Sequence, residues 1–233
     1  MVISNSWAAE AEAQATEYQE TEMAGEEMDA EVSDPIEGWN RIVYTFNDIL
    51  YFSLIRPLSQ FYELITPEGI RIAIRNFFHN LEMPKHFVGA LLQGDMEGAG
   101  RELGRFGINT VLGFGLFDTA ESAFGISSGN EDIGQALGYH GGGDDFYIVW
   151  PVLGPSNIRD TVGLVGDSAL SPLSYYPTEK WTRAGVYAFK TVNNTSLRIG
   201  EYEDLKEAAL DPYIALRDAY IQMRRKKINE WDQ

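Results

Sequence analysis

The chain has 233 residues, a formal net charge of −17 and no cysteine. That length buries a sizeable core in one or two domains, and the missing cysteine excludes disulfides, thiolate metal sites and a cysteine nucleophile. The acidic balance argues against a nucleic-acid partner, so any lipid contact must rest on apolar area.

Residues 1–34 hold 10 acidic groups and no Lys or Arg, which leaves 25 acids against 18 bases, −7, for residues 35–233. Residues 1–33, rich in Glu, Ala, Gln and Thr, lack the large apolar groups needed to offset ordering entropy and read as a disordered acidic tail. Met1-Val2-Ile3-Ser4 has neither a basic n-region nor an apolar h-region, which reads as a chain whose signal has been removed or trimmed away. Folding begins at Asp34. This residue is placed to cap a helix, with Pro35 at its first position and Glu37 at the capping-box position.

The spacing predicts a helix over 35–55 with an apolar stripe of Ile36, Trp39, Val43, Phe46 and Leu50. Ile42, Ile49, Phe52 and Ile55 make the opposite side apolar as well, and a helix apolar all round is either deeply buried or faces lipid. Arg56-Pro57 is expected to break it, and Thr66-Pro67-Glu68 to start the next helix. Pro84 opens another that stops at Gly94, and Asp95 caps a longer one to about Val111. Gly94/Gly98 and Gly100/Gly104 form small-xxx-small pairs, which either bring helix backbones close or are tolerated as they stand. From Phe114 to Pro155 the period fades into a long Gly-rich loop with room for a hairpin, including a flexible Gly141–Gly143 run. Ser156 is expected to cap a helix to about Leu170, Thr178 to start another that breaks near Gly200, and Asp211-Pro212 to start the last. Its terminal run Arg224-Arg225-Lys226-Lys227 suits the negative end of the helix dipole or a membrane headgroup.

No run reaches the roughly 18 apolar residues of a spanning helix. Nucleophile-elbow, Ser-x-x-Lys and P-loop motifs are absent. His79, His86 and His140 are too few for a metal site and read as structural or solvent-facing. Nothing in the chain asks for catalysis or a cofactor, and the expectation is a protein that is not an enzyme.

Asp34-Pro35-Ile36-Glu37-Gly38-Trp39-Asn40-Arg41 resembles the opening motif of the MlaA (VacJ) family of outer-membrane phospholipid-transport lipoproteins. The resemblance extends through Asn76 to Pro84, Leu92 to Asp95, Arg105 to Gly113, Asp118 to Ala120, Leu137 to Gly141, Pro151 to Gly154, Ile158-Arg159-Asp160 and Asp211 to Ile214, with Arg217 and Tyr220. The chain departs from the family in lacking a lipid-bearing cysteine, in its acidic tail and in the glycines after Asp95. The resemblance implies a mostly α fold over residues 34–230. In it, a ring- or horseshoe-like bundle of amphipathic helices surrounds a channel, with long Gly-rich loops and at most a small β-hairpin. It implies a place in the periplasmic leaflet of a Gram-negative outer membrane and retrograde removal of phospholipids from the outer leaflet. It also implies hand-over to an MlaC-like periplasmic carrier and association with a trimeric porin. A porin-bound adaptor and a noncanonical lipid hydrolase are the alternatives.

Asp160 and Asp167 lie two helical turns apart and match the family pattern as channel-lining residues, with Arg159 and Arg217 beside them. An N-cap or salt-bridge role competes. Thr45, Phe46 and Asn47 fall where the family carries a gating segment, against plain core packing by Phe46. Ile42, Ile49, Phe52 and Ile55 are the candidate membrane-facing residues.

Overall fold

The computed structural model describes residues 34–141 and 146–229; the tail expected over 1–33 and most of the Gly141–Gly143 loop lie outside the described residues. Helices α1 (Glu37–Leu50), α2 (Arg56–Ile65), α3 (Glu68–Leu81), α4 (Met83–Gln93) and α5 (Met96–Val111) are followed by the short α6 (Thr119–Phe124) and α7 (Ile133–Tyr139). The hairpin β1 (Tyr147–Trp150) and β2 (Gly154–Asn157) leads into α8 (Ile158–Leu170), α9 (Lys180–Ser196), α10 (Glu201–Ala208) and α11 (Pro212–Asn229). The strands are antiparallel, Tyr147 opposite Asn157 and Trp150 opposite Gly154. No described helix is long and apolar enough to cross a membrane.

Most helix limits follow the local punctuation. Pro67 and Pro84 stand at helix starts, Gly94 ends α4 at φ 82° in the left-handed conformation, and Asp211 Oδ1 accepts the Tyr213 amide at 3.0 Å. Five expectations fail at this level. Neither Asp34 nor Asp95 makes a cap bond: the Asp34 carboxylate reaches Asn40 Nδ2 (2.7 Å) and the Tyr213 hydroxyl, Glu37 pairs with Arg41 instead, and Asp95 stands at the start of α5 without a side-chain cap bond. The cap of α8 is Asn157, whose Oδ1 accepts the Asp160 amide at 2.6 Å, while Ser156 lies in β2. The stretch 114–155 holds α6 and α7 besides the hairpin; each has about two turns or fewer, too short for a periodic signal.

The fifth concerns Arg56-Pro57. The helical path continues through it by a π turn, Tyr51–Ile55, in which the Arg56 amide bonds the Tyr51 carbonyl. Proline removes an amide donor and crowds the preceding turn, and a wider turn relieves the crowding.

The elements pack in a closed circuit. From α1 it runs through β1, β2, α8, α7, α4, α3, α9, α2 and the π turn back to α1. Helix α5 lies on α4, and α11 lies on α7 and β2. Helices α7 and α8 approach backbone to backbone, where a Cβ on Gly163 would sit 2.3 Å from the Gly134 amide nitrogen. The four glycines of the small-xxx-small pairs do not serve this way: Gly94 is the α4 cap, Gly98 accommodates the Asp95 side chain, and Gly100 and Gly104 face open space.

Candidate functional site

Apolar residues usually fill the inside of a protein, and a buried polar group or an exposed apolar patch is the informative exception. Here both exceptions dominate. Asn40, Glu131, Gln135, Asn193, Arg105 and Arg224 are buried, while Trp39, Ile42, Phe46, Ile49, Leu54, Leu58, Phe61 and Ile65 are exposed.

The exposed set forms one stripe. Trp39, Ile42, Phe46 and Ile49 follow helical steps along α1, then a step of five leads to Leu54, and normal steps resume through Leu58, Phe61 and Ile65 on α2. The π turn supplies the additional residue that keeps the two halves in phase. The stripe expected through Ile36, Trp39, Val43, Phe46 and Leu50 is thus split: Val43 is buried, but Trp39 and Phe46 point outward with Ile42 and Ile49. Of the candidate membrane-facing residues, Ile42 and Ile49 are exposed and Phe52 and Ile55 are half-buried. Phe52 stands edge-on to Tyr51, with the Lys206 ammonium 4.7 Å from its ring centroid. Ile55 lines a crevice with Tyr44, Tyr51 and Tyr202.

The inner side of α1 is held by asparagines. Asn40 donates to the Tyr147 carbonyl (3.1 Å) and accepts the Val149 amide (2.8 Å); Asn47, two turns on, donates to the Trp150 carbonyl (3.0 Å) and accepts the Val152 amide (2.7 Å). They satisfy the open edge of β1 in place of a third strand. In the candidate gating segment, then, Asn47 is tied to the hairpin, Phe46 is exposed, and Thr45 bonds its own helix at the Arg41 carbonyl. Phe46 does not pack in a core.

Where α8, α11 and the hairpin meet, a cavity of about 200 Å³ is lined by Asp132, Asp160, Asp167, Tyr220, Arg224 and Trp150, with Leu153 and Leu164 among its apolar walls. Arg224 forks onto Asp132 (2.6 and 2.9 Å) and reaches Asp160 at 2.7 Å. Asp160 also accepts from Arg159 Nε (3.0 Å) and the Tyr220 hydroxyl (2.5 Å). Burial pushes the Asp132 carboxyl up, but the bonds and charge of Arg224 outweigh it and hold the group well below the usual carboxylate range. Asp160 is likewise lowered, Arg159 and Arg224 overcoming its burial. Asp167 differs. It accepts a bond from the Ile133 amide (3.2 Å), and burial, reinforced by the Asp132 charge, pushes it up to about 6. The cavity wall therefore combines a neutralised ion cluster with a carboxyl that changes charge near neutrality.

Asp160 and Asp167 are thus brought to one cavity, with the salt bridge present at Asp160. Arg159 is buried beside them, whereas Arg217 lies outside the cavity lining, 4.0 Å from Asp34 and 2.8 Å from Asp218. Arg224 is not a surface charge at the dipole end but the counter-ion of the cluster. Its signal was the inward face of α11, where Tyr213, Arg217, Tyr220 and Arg224 recur at steps of three and four. The His79 and His86 rings lie 5.2 Å apart and tilted by 38° despite Pro84, and burial lowers the pKa of His86 to about 4. Among the described residues no group of three or more His, Asp or Glu is placed to hold a metal.

The family profile described as MlaA lipoprotein matches residues 32–227. The chain belongs to the MlaA family. It is 34% identical over 198 residues to the Escherichia coli K12 intermembrane phospholipid transport system lipoprotein MlaA, covering 82% of this chain and 76% of that protein. A Rickettsia bellii protein is 34% identical over 200 residues, 85% of this chain and 78% of that one. A solved structure, described as the structural basis for maintenance of bacterial outer membrane lipid asymmetry, superposes with a TM-score of 0.74 at 32% identity. It covers 84% of this chain and 100% of that one. The mostly helical architecture with one small hairpin is therefore the MlaA fold, and the cavity and stripe are features of a member of that family.

Proposed function

We propose that this protein is an outer-membrane component of a phospholipid transport system. It takes phospholipids from the outer leaflet through a polar passage inside its ring of helices and gives them to a periplasmic carrier. The observation that carries the reading is the inverted distribution of side chains: a closed circuit of helices with an apolar stripe outside and buried ions within. A bilayer's hydrocarbon is about 30 Å thick. The exposed apolar residues of α1 and α2 form one stripe rather than a full belt, and no described helix is long and apolar enough to cross that thickness. Such a body seats in one leaflet and offers a headgroup a polar path past the acyl region. Family membership supports phospholipid as the ligand, and the proteins of that name are transport lipoproteins.

On this reading the protein is a conduit without catalysis or cofactor, Asp160, Arg159 and Asp167 line or brace the passage, and Phe46 and Asn47 connect the outer stripe to the hairpin beside it. The carrier is MlaC-like, a trimeric porin is the membrane neighbour, and the phospholipid moves inward. The test is reconstitution in vesicles with fluorescent phospholipid and an acceptor carrier. Transfer of intact lipid that depends on the protein is the expected result. Cleaved lipid would establish a hydrolase instead, and porin binding without transfer an adaptor.

A further inference from the structure

We propose that the corner formed by Tyr176, Lys180 and Trp181 at the start of α9 seats in the headgroup zone of a phospholipid membrane and sets the depth at which the helical ring rides. The proposal rests on the membrane seating argued above and adds the element that fixes its level.

The chemistry of the exposed rings changes along the molecule. On α1 and α2 the exposed residues are mainly Ile, Leu and Phe, which carry no polar atom. At the α9 start they are Tyr176, 73% exposed, and Trp181, 83% exposed. A phenol or indole has an apolar body and one hydrogen-bonding group, and such rings collect where hydrocarbon meets water. Lys180 is exposed between them, and its ammonium on a flexible stem complements lipid phosphates.

The corner is also held rigid. Arg183 spends its guanidinium on the carbonyls of Ser174 (2.6 Å), Pro177 (3.3 Å) and Thr178 (3.3 Å). The Tyr175 hydroxyl donates to the Ala169 carbonyl at 2.8 Å, and Leu173 is buried beneath. Two large rings are thus presented outward on backbone that has little freedom to fold them in.

The corner is continuous with the outer stripe at a suitable distance. Phe189 of α9 stands edge-on to Tyr62 of α2, with ring centroids 5.8 Å apart, and the adjacent Phe61 belongs to the stripe. Trp181 precedes Phe189 by eight residues, about 12 Å of helix at 1.5 Å per residue. Half of a hydrocarbon core is about 15 Å. With the stripe in the acyl region and α9 running along the bilayer normal, the corner reaches the headgroups of the same leaflet.

The test is depth-dependent quenching in phosphatidylethanolamine–phosphatidylglycerol vesicles, with nitroxides carried either on the headgroup or deep on the acyl chain. The Trp181 contribution is the emission lost in W181F, and flotation of each variant with the vesicles is measured in parallel. Stronger quenching of that contribution by the headgroup nitroxide is the expected result. If the protein floats but its Trp181 emission responds more to the deep nitroxide, or to neither, the anchor is overturned while membrane seating stands. If the protein does not float, both fall. A Y176S/W181S variant that melts at the native temperature is expected to float less completely; flotation equal to the native chain would also overturn the proposal.

Discussion

Arg224 is the residue on which the polar interior turns. Its guanidinium bonds two carboxylates, Asp132 at the start of α7 and Asp160 on α8, sharing their charge with Arg159, and so ties α11 to the seam where Gly134 meets Gly163. Removing one partner of a buried ion cluster leaves uncompensated charge and costs about 3–5 kcal/mol, whereas removing all partners together costs much less. R224M is therefore expected to lower the thermal midpoint in detergent strongly, and the combined D132N/R224M variant, which leaves the buried Arg159–Asp160 pair intact, to recover part of the loss. Equal melting of native and R224M chains would show that the cluster does not hold the seam. The pair Asp160 and Asp167 illustrates how environment separates like groups. Seven residues apart on α8, one is held charged by Arg159 and Arg224 and the other is pushed up to about 6 by burial.

At the scale of elements, punctuation was legible and orientation was not. The starts of α3, α4 and α11 and the end of α4 stand where Pro67, Pro84, Pro212 and Gly94 put them. The face of α1 could not be read from apolar spacing, because its inward positions include Asn40 and Asn47, whose value lies in amides and carbonyls of a hairpin about a hundred residues away. A polar residue satisfied by a distant edge strand leaves no periodic trace. The π turn was equally hidden, since Pro57 announces a break and only the resumed stripe shows that the helix continued. The stripe depends on that turn. Inserting an alanine after Ser53 adds a second residue that a single π turn does not absorb and rotates everything after it by about 100° relative to α1. The insertion also separates Ser59 and Tyr62 from their partners Val192 and Asn193 on α9. It is expected to reduce flotation with vesicles and to lower the melting temperature. Native flotation and melting would contradict the role assigned to the turn.

For the whole molecule, the family resemblance carried the fold class, and the packing supplied its physical reason. A chain whose buried set includes Asn40, Glu102, Arg105, Glu131 and Arg224 gains little from a dry interior, and burying such groups is tolerable only with partners. Many of its large apolar residues are left outside, where water penalises them by roughly 25 cal/mol per Å². A membrane removes that penalty. The absence of native cysteine makes the central claim directly measurable, because each introduced thiol is unique. In vesicles carrying the embedded protein, I42C, I49C and D167C are treated with a membrane-impermeant maleimide. Modification of D167C with protection of I42C and I49C is the predicted pattern; I42C and I49C reacting as fast as D167C would contradict a ring that is apolar outside and wet within.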